Sequence, residues 1–375
     1  MLFIIVKEID MAKDIPVSYM GKHKYDIKIR HDFNNIIEAI QSLRIPSNIR
    51  LCIVTDSNVS KYHLDSIKTL LSTQSYDIYE FIFNAGEQYK NLETVNKLYT
   101  FLIENHFDRN DFLIALGGGV VGDLTGFAAA TYLRGIRFIQ VPTTLLSQVD
   151  SSIGGKTGVD CMQYKNMVGA FYQPSLVYIN LSTLNTLPDT DYYSGMGEII
   201  KHSLIADCNY YNLLKNSVLD VKRKDLNVLE DIIYKSCLIK RDVVEKDPKE
   251  LGLRANLNFG HTIGHAIEKL TDFSLLHGYC VAIGCVAAGY ICMRLGNISN
   301  IELIDIQNLI KSYNLYDKIN NSTLDSNDIL KATKSDKKMD SGKIKFVLLK
   351  AIGEAYISKE ISDEMILEAI NYVNS

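Results

Sequence analysis

No stretch of this 375-residue sequence reaches the roughly 18 unbroken apolar residues of a membrane span. The nearest approach, Val281–Met293, is short and is interrupted by two glycines and a tyrosine, so it reads as a buried helix. The opening apolar run, Leu2–Val6, is too short for a secretory core, and no basic segment precedes it. An excess of one charge is also lacking. Lys plus Arg is 40 and Asp plus Glu is 44, a formal net charge of −4. That excludes a chain built as a whole to grip nucleic acid or an anionic membrane, though not a local basic pocket. There is no C-x-x-C pair among the seven cysteines, and an odd, scattered set points to reduced thiols in the cytosol. Cys52, in RLCIVTD, reads as plain core. Internal repeats and low-complexity tracts are absent. With 47% apolar and 22% charged residues, the composition is that of an ordinary globular chain of about two domains.

The first half alternates short apolar runs with amphipathic ones. Strands are expected at Leu51–Thr55, Ile78–Phe83, Phe112–Leu116, Phe138–Val141 and Leu176–Ile179, with a helix at Leu92–Glu104 and an antiparallel edge pair near Tyr19–Ile29. Strand–helix alternation argues for a parallel sheet covered by helices. LSTLNTLP, from Leu181, reads as a linker. Beyond it the periodicity is mostly helical, with one late strand at Lys345–Leu349. The expected architecture is a Rossmann-like α/β domain over 1–181 followed by a helical domain over 182–375, with a ligand cleft between them.

FLIALGGGVVGDLTGFAAATY carries a literal G-x-G-x-x-G in Gly117, Gly119 and Gly122 at a strand-to-helix junction. Glycines there allow a tight turn and let a pyrophosphate approach the helix N-terminus. Tight helix–sheet packing alone would explain the same glycines. About 20 residues on, FIQVPTT offers no acidic partner for a ribose, so this is not a standard dinucleotide module. Asp56 and Glu87 are candidates for that role from other segments.

Histidine is scarce, at eight residues, yet His261, His265 and His277 fall close together. His261 and His265 are four apart and share a helix face. Thr262 stands where a zinc protease would have Glu. Glu198 lies in an otherwise apolar helical stretch, GMGEIIKH. One carboxylate and two imidazoles form a catalytic zinc set with an open position. His202, four residues after Glu198, could join such a site but reads more readily as a helix-face residue, and His23, His31, His63 and His106 read as ordinary polar positions. Lys156 after a Gly-Gly pair, and Lys165–Asn166 before small residues, suit a phosphate or carboxylate, although exposed loop lysines look the same. Lys201, Arg254 and Asn258 project toward the Glu198 and His261 region.

Five segments, in this order, resemble the 3-dehydroquinate synthases. They are GGGVVGDLTGFAAATYLRGIRFIQVPTTLLSQVDSSIGGKTGVD, YKNMVGAFYQP, GMGEIIKH, LRANLNFGHTIGHAIE and LHGYCVAIG. The resemblance implies a Rossmann-like domain, a helical metal domain and an active site between them, in a homodimer. It implies Glu198, His261 and His277 as ligands of zinc or cobalt, whereas spacing alone pairs His261 with His265. His265 becomes a substrate-proximal residue. NAD is expected on Gly86, Glu87, Gln88, Tyr89 and Lys90; on Gly118, Gly119, Val120, Val121, Gly122 and Asp123; on Thr143 and Thr144; on Lys156 and Lys165; and on Thr183, Leu184, Asn185 and Thr186. Asp150, Lys156, Asn166, Lys201, Lys240, Arg254 and Asn258 are implied as substrate contacts, one lysine of Lys337–Lys338, with Lys337 preferred, as a late phosphate-site lysine, and Arg134 as reaching a neighbouring subunit's phosphate.

The implied substrate is 3-deoxy-D-arabino-heptulosonate 7-phosphate. The implied sequence is transient oxidation at C5, phosphate elimination, reduction, ring opening and aldol closure. Related cyclases acting on glucose 6-phosphate tend to carry Glu where Asn258 stands and lack the arginine of position 254, so both residues favour a carboxylate-bearing substrate. Glycerol-dehydrogenase-like enzymes share the glycine turn but lack the GGK, YKN and LRANLNFGH set. Two departures from the family stand out: Asn84–Ala85 before Gly86, where an acidic residue is common, and Gly197, where Ala is frequent.

Overall fold

The computed structural model describes residues 13–46, 48–162, 164–250, 252–320, 324–334, 339–340 and 343–375. The Leu2–Val6 run and Lys337 lie outside them. Among the described residues nine strands precede residue 181: β1 (Lys13–Tyr19), β2 (Lys22–Arg30), β3 (Arg50–Asp56), β4 (Asp77–Phe83), β5 (Phe112–Gly117), β6 (Arg137–Pro142), β7 (Lys156–Cys161), β8 (Tyr164–Phe171) and β9 (Leu176–Asn180). Helices α1 (Ile36–Gln41), α2 (Asp65–Leu71), α3 (Leu92–Glu104) and α4 (Gly119–Thr131) lie among them. Seven strands form one sheet in the order β1-β2-β9-β6-β5-β3-β4. Its pairs are parallel except for the antiparallel edge pair β1–β2.

Each expected strand is present and slightly longer than its apolar run. Alternation along the strands decides the two faces. Cys52, Val54, Leu113 and Ala115 pack with α3 and α4. Leu51, Ile53, Phe112 and Ile114 pack with α1 and α2. β5 is buried along its whole length, which explains its unbroken apolar run. Asn91 starts α3 by accepting from the Thr94 backbone N–H at 2.9 Å.

The second half contributes α5 (Asp189–Ala206), α6 (Cys208–Asn216), α7 (Val218–Lys222), α8 (Leu226–Lys246), α9 (His261–Leu270), α10 (His277–Arg294), α11 (Asn300–Ser312), α12 (Ser326–Lys334) and α13 (Asp363–Val373). The late strand is Phe346–Ala351, and it pairs with Glu354–Ser358 as a hairpin beside the helices. The segment after β9 is not a solvated linker. Residues Leu181–Asn185 form a single 3₁₀ turn in which Leu181, Thr183 and Leu184 are buried. β1, β2 and β9 share their core with α5 and α10, so the helical half packs directly on one end of the sheet. Lys13 of β1 also pairs with Asp231 of α8. Among the described residues no helix is long and apolar enough to cross a membrane.

The sequence reading placed no strands at residues 156–171. The chain there forms an antiparallel hairpin, β7 with β8. β7 packs its Val159 under α4 and α3, while β8 is largely exposed. A register shift after Val159 breaks the alternation that would have betrayed it.

Candidate active site

Strand order reverses between β3 and β5, since β4 lies outside β3 and the chain then crosses to the other side. Ligands of open α/β sheets bind in the crevice at the carboxyl ends of strands beside such a reversal. Four groups expected to hold NAD lie directly after parallel strands: Gly86–Lys90 after β4, Gly118–Asp123 after β5, Thr143 and Thr144 after β6, and Thr183–Thr186 after β9. The first backbone bond inside α4 runs from the Gly122 N–H to the Gly118 carbonyl at 3.0 Å. The N–H groups of Gly119, Val120 and Val121 therefore precede the helical ladder and suit an anionic pyrophosphate. A Cβ on Gly118 would meet Thr144 Cγ2 at 2.9 Å, and one on Gly119 would meet Ser151 Oγ at 3.2 Å. Side chains there would fill this cradle.

Lys90 is buried and lies 2.7 Å from Glu87, 3.6 Å from Asp123 and 3.7 Å from Asp160. Burial pushes the Asp123 carboxyl up to about 7, and the Lys90 charge does not offset it. Of the two ribose candidates, Glu87 is engaged by Lys90, and Asp56 accepts from the Asn58 and Val59 backbone N–H groups at 2.8 and 3.0 Å. His63 is not an ordinary polar position. It is buried and bonds Thr186 Oγ1 at 2.8 Å, bracing the turn after β9.

The second cluster lies on three helices of the other half. Glu198 of α5 is 1% exposed. Its Oε1 lies 3.1 Å from His277 Nε2 and 3.4 Å from His261 Nε2, and its Oε2 accepts from Lys201 one turn on. Burial would raise the Glu198 carboxyl, but Lys201, His261 and His277 hold it well below the usual range. The Nδ1 of His261 faces the Phe259 carbonyl at 3.1 Å, and the Nδ1 of His277 faces Glu268 Oε2 at 3.4 Å. One carboxylate oxygen and two imidazole nitrogens thus converge, each ring held from behind. That donor set fits a catalytic zinc or cobalt ion. His265 stands beside it, its ring centroid 5.0 Å from that of His261 and 5.8 Å from that of His277.

Glycines let these helices meet. A Cβ on Gly278 would lie 1.7 Å from the Ser194 carbonyl oxygen, and one on Gly284 would lie 1.9 Å from that of Gly260. Gly260, at φ +77°, turns the chain so that His261 opens α9. Gly197, one of the two departures from the family pattern, touches Gly278: a Cβ there would sit 2.3 Å from its carbonyl.

The remaining cations surround the same region. Lys240 of α8 pairs with Asp150 at 2.6 Å. Asp150 in turn lies with Glu198 and His202 in a group whose oxygen and nitrogen atoms are within 4.8 Å of one another. His202 is buried rather than on an exposed face, its Nδ1 bonds Ser236 Oγ at 2.8 Å, and burial followed by the Lys201 charge pushes it down to about 3. Arg254 is buried, donates to the Pro248 carbonyl at 2.9 Å, and has its Nη2 2.8 Å from where a Cβ on Gly154 would be. Lys156 pairs with Glu250, and the same carboxylate accepts from Asn258 Nδ2 at 3.0 Å. Lys165 reaches from β8 to Glu268 at 3.2 Å.

Asn166, at φ +53°, is exposed, and its backbone N–H donates to Asp160 at 2.8 Å. Arg134 is exposed with φ +66° just past the C-terminal end of α4, about 20 Å from the glycine cradle at a rise of ~1.5 Å per residue. It is not brought to this cluster. The sequence reading missed Glu250 and Glu268. The only signal was their spacing: Glu268 is seven residues after His261, on the same helical face, and Glu250 is four before Arg254.

Family models for the 3-dehydroquinate synthase N-terminal and C-terminal domains match residues 80–194 and 195–339. A 3-dehydroquinate synthase of Acetivibrio thermocellus is 45% identical over 351 residues, covering 92% of this chain and 95% of that protein. Among solved structures, a 2-epi-5-epi-valiolone synthase from Streptomyces hygroscopicus with NAD+ and Zn2+ bound has a TM-score of 0.86 at 23% identity, covering 96% of this chain and 99% of that one. A 2-deoxy-scyllo-inosose synthase complexed with carbaglucose-6-phosphate, NAD+ and Co2+ has a TM-score of 0.82 at 24% identity, covering 96% and 100%. These two share the fold. The match along most of both chains to the Acetivibrio thermocellus relative and the paired domain models go further: the chain belongs to the 3-dehydroquinate synthase family.

Proposed function

We propose that this chain converts 3-deoxy-D-arabino-heptulosonate 7-phosphate to 3-dehydroquinate and phosphate in the cytosol, as an NAD- and divalent-metal-dependent homodimer. Residues 1–181 would hold NAD and residues 182–375 the metal. The observation that carries the reading is the Glu198–His261–His277 cluster with Lys201 bonded to it and the Asp150–Lys240 pair beside it. Such a site suits a small, hydroxylated anion.

When bound, NAD supplies hydride acceptance and return at C5, and the ion supplies Lewis acidity at the C5 oxygen. The chain's own residues bind and orient. Glu198, His261 and His277 would hold the ion, and the N-terminus of α4 the pyrophosphate. Arg254 would take the substrate carboxylate through its planar fork. Lys156, Asn166 and Lys337, with Arg134 from a neighbouring subunit, would take the phosphate. Glu250 pairs with Lys156 and accepts from Asn258, so substrate anions would compete with it for these two side chains. Lys201, Lys240, Asp150 and His265 would line the reacting carbons. The C6 proton is acidic next to a C5 ketone, and the departing phosphate can take it without a dedicated base. Fixing both charged ends keeps the substrate oriented through ring opening and aldol closure.

The test compares phosphate release from 3-deoxy-D-arabino-heptulosonate 7-phosphate and from glucose 6-phosphate, with NAD and Zn2+ or Co2+ added. The heptulosonate should be the substrate. Preference for glucose 6-phosphate would move the assignment to the inosose-forming cyclases. Arg254→Ala should lower kcat/KM on the heptulosonate by about 10- to 100-fold, the loss of one charged hydrogen-bonded contact. An unchanged value would remove Arg254 from the carboxylate role.

A further inference from the structure

Glu268 is buried on α9, where its two oxygens serve different partners. Oε2 faces His277 Nδ1 at 3.4 Å, and Oε1 accepts from Lys165 Nζ at 3.2 Å. His277 presents its other nitrogen, Nε2, to Glu198. The two nitrogens of an imidazole point away from each other, so Glu268 cannot share an ion with Glu198 through that ring. Its place is behind the ring. There a carboxylate fixes which nitrogen carries the proton, sets the ring plane and raises the basicity of the nitrogen in front. His261 has only a backbone carbonyl in the same position.

We infer that Glu268 is a positioning residue for His277: it holds the ring with Nε2 free to ligate, and through Lys165 it ties the metal-binding helices to the β7–β8 hairpin. This rests on the metal reading of the Glu198 cluster. Lys165 also stacks over the Phe273 ring at 4.0 Å, so the contact to Glu268 comes from a held side chain and not from a free one. The hairpin belongs to the half that carries the glycine cradle, while Glu268 and His277 belong to the other half. A single carboxylate therefore spans both.

The test uses the full-length protein. Co2+ affinity is measured by chelator competition, and the visible absorption of the Co2+-loaded protein is recorded, for wild type, Glu268→Gln, Glu268→Ala and Lys165→Met. Glu268→Gln is isosteric and keeps the helix face. Both Glu268 variants should bind Co2+ about 10- to 100-fold more weakly, with altered band positions, since supporting partners of a ligating histidine are worth that much. Lys165→Met should stay within about threefold of wild type, because the Glu268–His277 contact does not pass through it. Wild-type affinity and spectrum in Glu268→Gln and Glu268→Ala, with wild type itself binding Co2+, would overturn the inference alone. So would a loss in Lys165→Met equal to that in Glu268→Gln: removing a cation cannot weaken cation binding through charge, so the effect would come from the tie to the hairpin and not from the Glu268–His277 contact. Failure of wild type to bind Co2+ would overturn the metal reading and the inference together. Should Glu268→Ala fail to fold, Glu268→Gln carries the test.

Discussion

His277 must give up a proton to ligate a metal. Burial alone would lower its pKa, but the hydrogen bonds to Glu198 and Glu268 raise it to about 10. Its folded value thus lies above the usual 6.5. The stability it contributes is fully present below about 6.5 and is lost as pH rises through about 10. His261 behaves oppositely, since burial and then Lys201 hold it neutral. A metal must therefore displace one proton, that of His277. Apparent zinc affinity should rise about tenfold per pH unit between roughly 7 and 9, with about one proton released per ion. Titration calorimetry in buffers of different ionisation heat reads both, and an affinity flat across that range would refute the assignment. At this scale the sequence was legible where a residue was out of character. Glu198 is the one carboxylate of the otherwise apolar helical stretch GMGEIIKH, and Lys156 follows two glycines. Glu268 in HAIEKL and Glu250 in DPKEL look like ordinary surface charges, because beyond helical spacing nothing local marks a carboxylate whose cationic partner, Lys165 or Lys156, lies 103 or 94 residues away.

The three proposed ligands sit next to glycines: Gly197–Glu198, Gly260–His261 and His277–Gly278. This is a property of elements. α5, α9 and α10 can bring short donor atoms together only if their backbones nearly touch, and a glycine at each crossing permits it. Gly278→Ala would press a methyl group onto the Ser194 carbonyl, whose oxygen is 1.7 Å from the Cβ position. We expect a loss of about 1–3 kcal/mol in stability, as for other overpacked cores, together with weakened metal binding. Denaturant unfolding of the metal-free protein and chelator competition test the two parts. Undiminished stability and metal binding would show that the helices can separate without cost. Elements with a clear pattern were legible: β3 and β5 follow from short apolar runs and α3 from an amphipathic period. The β7–β8 hairpin was not, because its outer strand is exposed and its register shifts. The turn after β9 was misread as a linker because its polar Ser, Thr and Asn residues make internal caps, such as Asn180 accepting from Ser182 at 2.9 Å.

At the scale of the whole molecule, two clusters of different chemistry face the same region. The carboxyl ends of β4, β5, β6 and β9 carry the glycine cradle, and α5, α9 and α10 carry the carboxylate and histidines. Contacts that no local pattern announces join them: Lys165 to Glu268, Lys240 to Asp150, and Lys156 to Glu250. The fold class was legible from alternation followed by helical periodicity. The pairing of the halves was not, since β1 and β2 share a core with helices more than 160 residues later. The proposed cycle, in which NAD starts and ends in the same state, calls for such a juxtaposition, because the hydride taken must be returned to the same carbon. The most direct measurement is phosphate release from excess 3-deoxy-D-arabino-heptulosonate 7-phosphate with metal and limiting NAD, with NADH absorbance followed in parallel. The account predicts many phosphates released per NAD with no net NADH. NADH accumulating one-for-one with product, or no phosphate released by metal- and NAD-loaded protein, would contradict it.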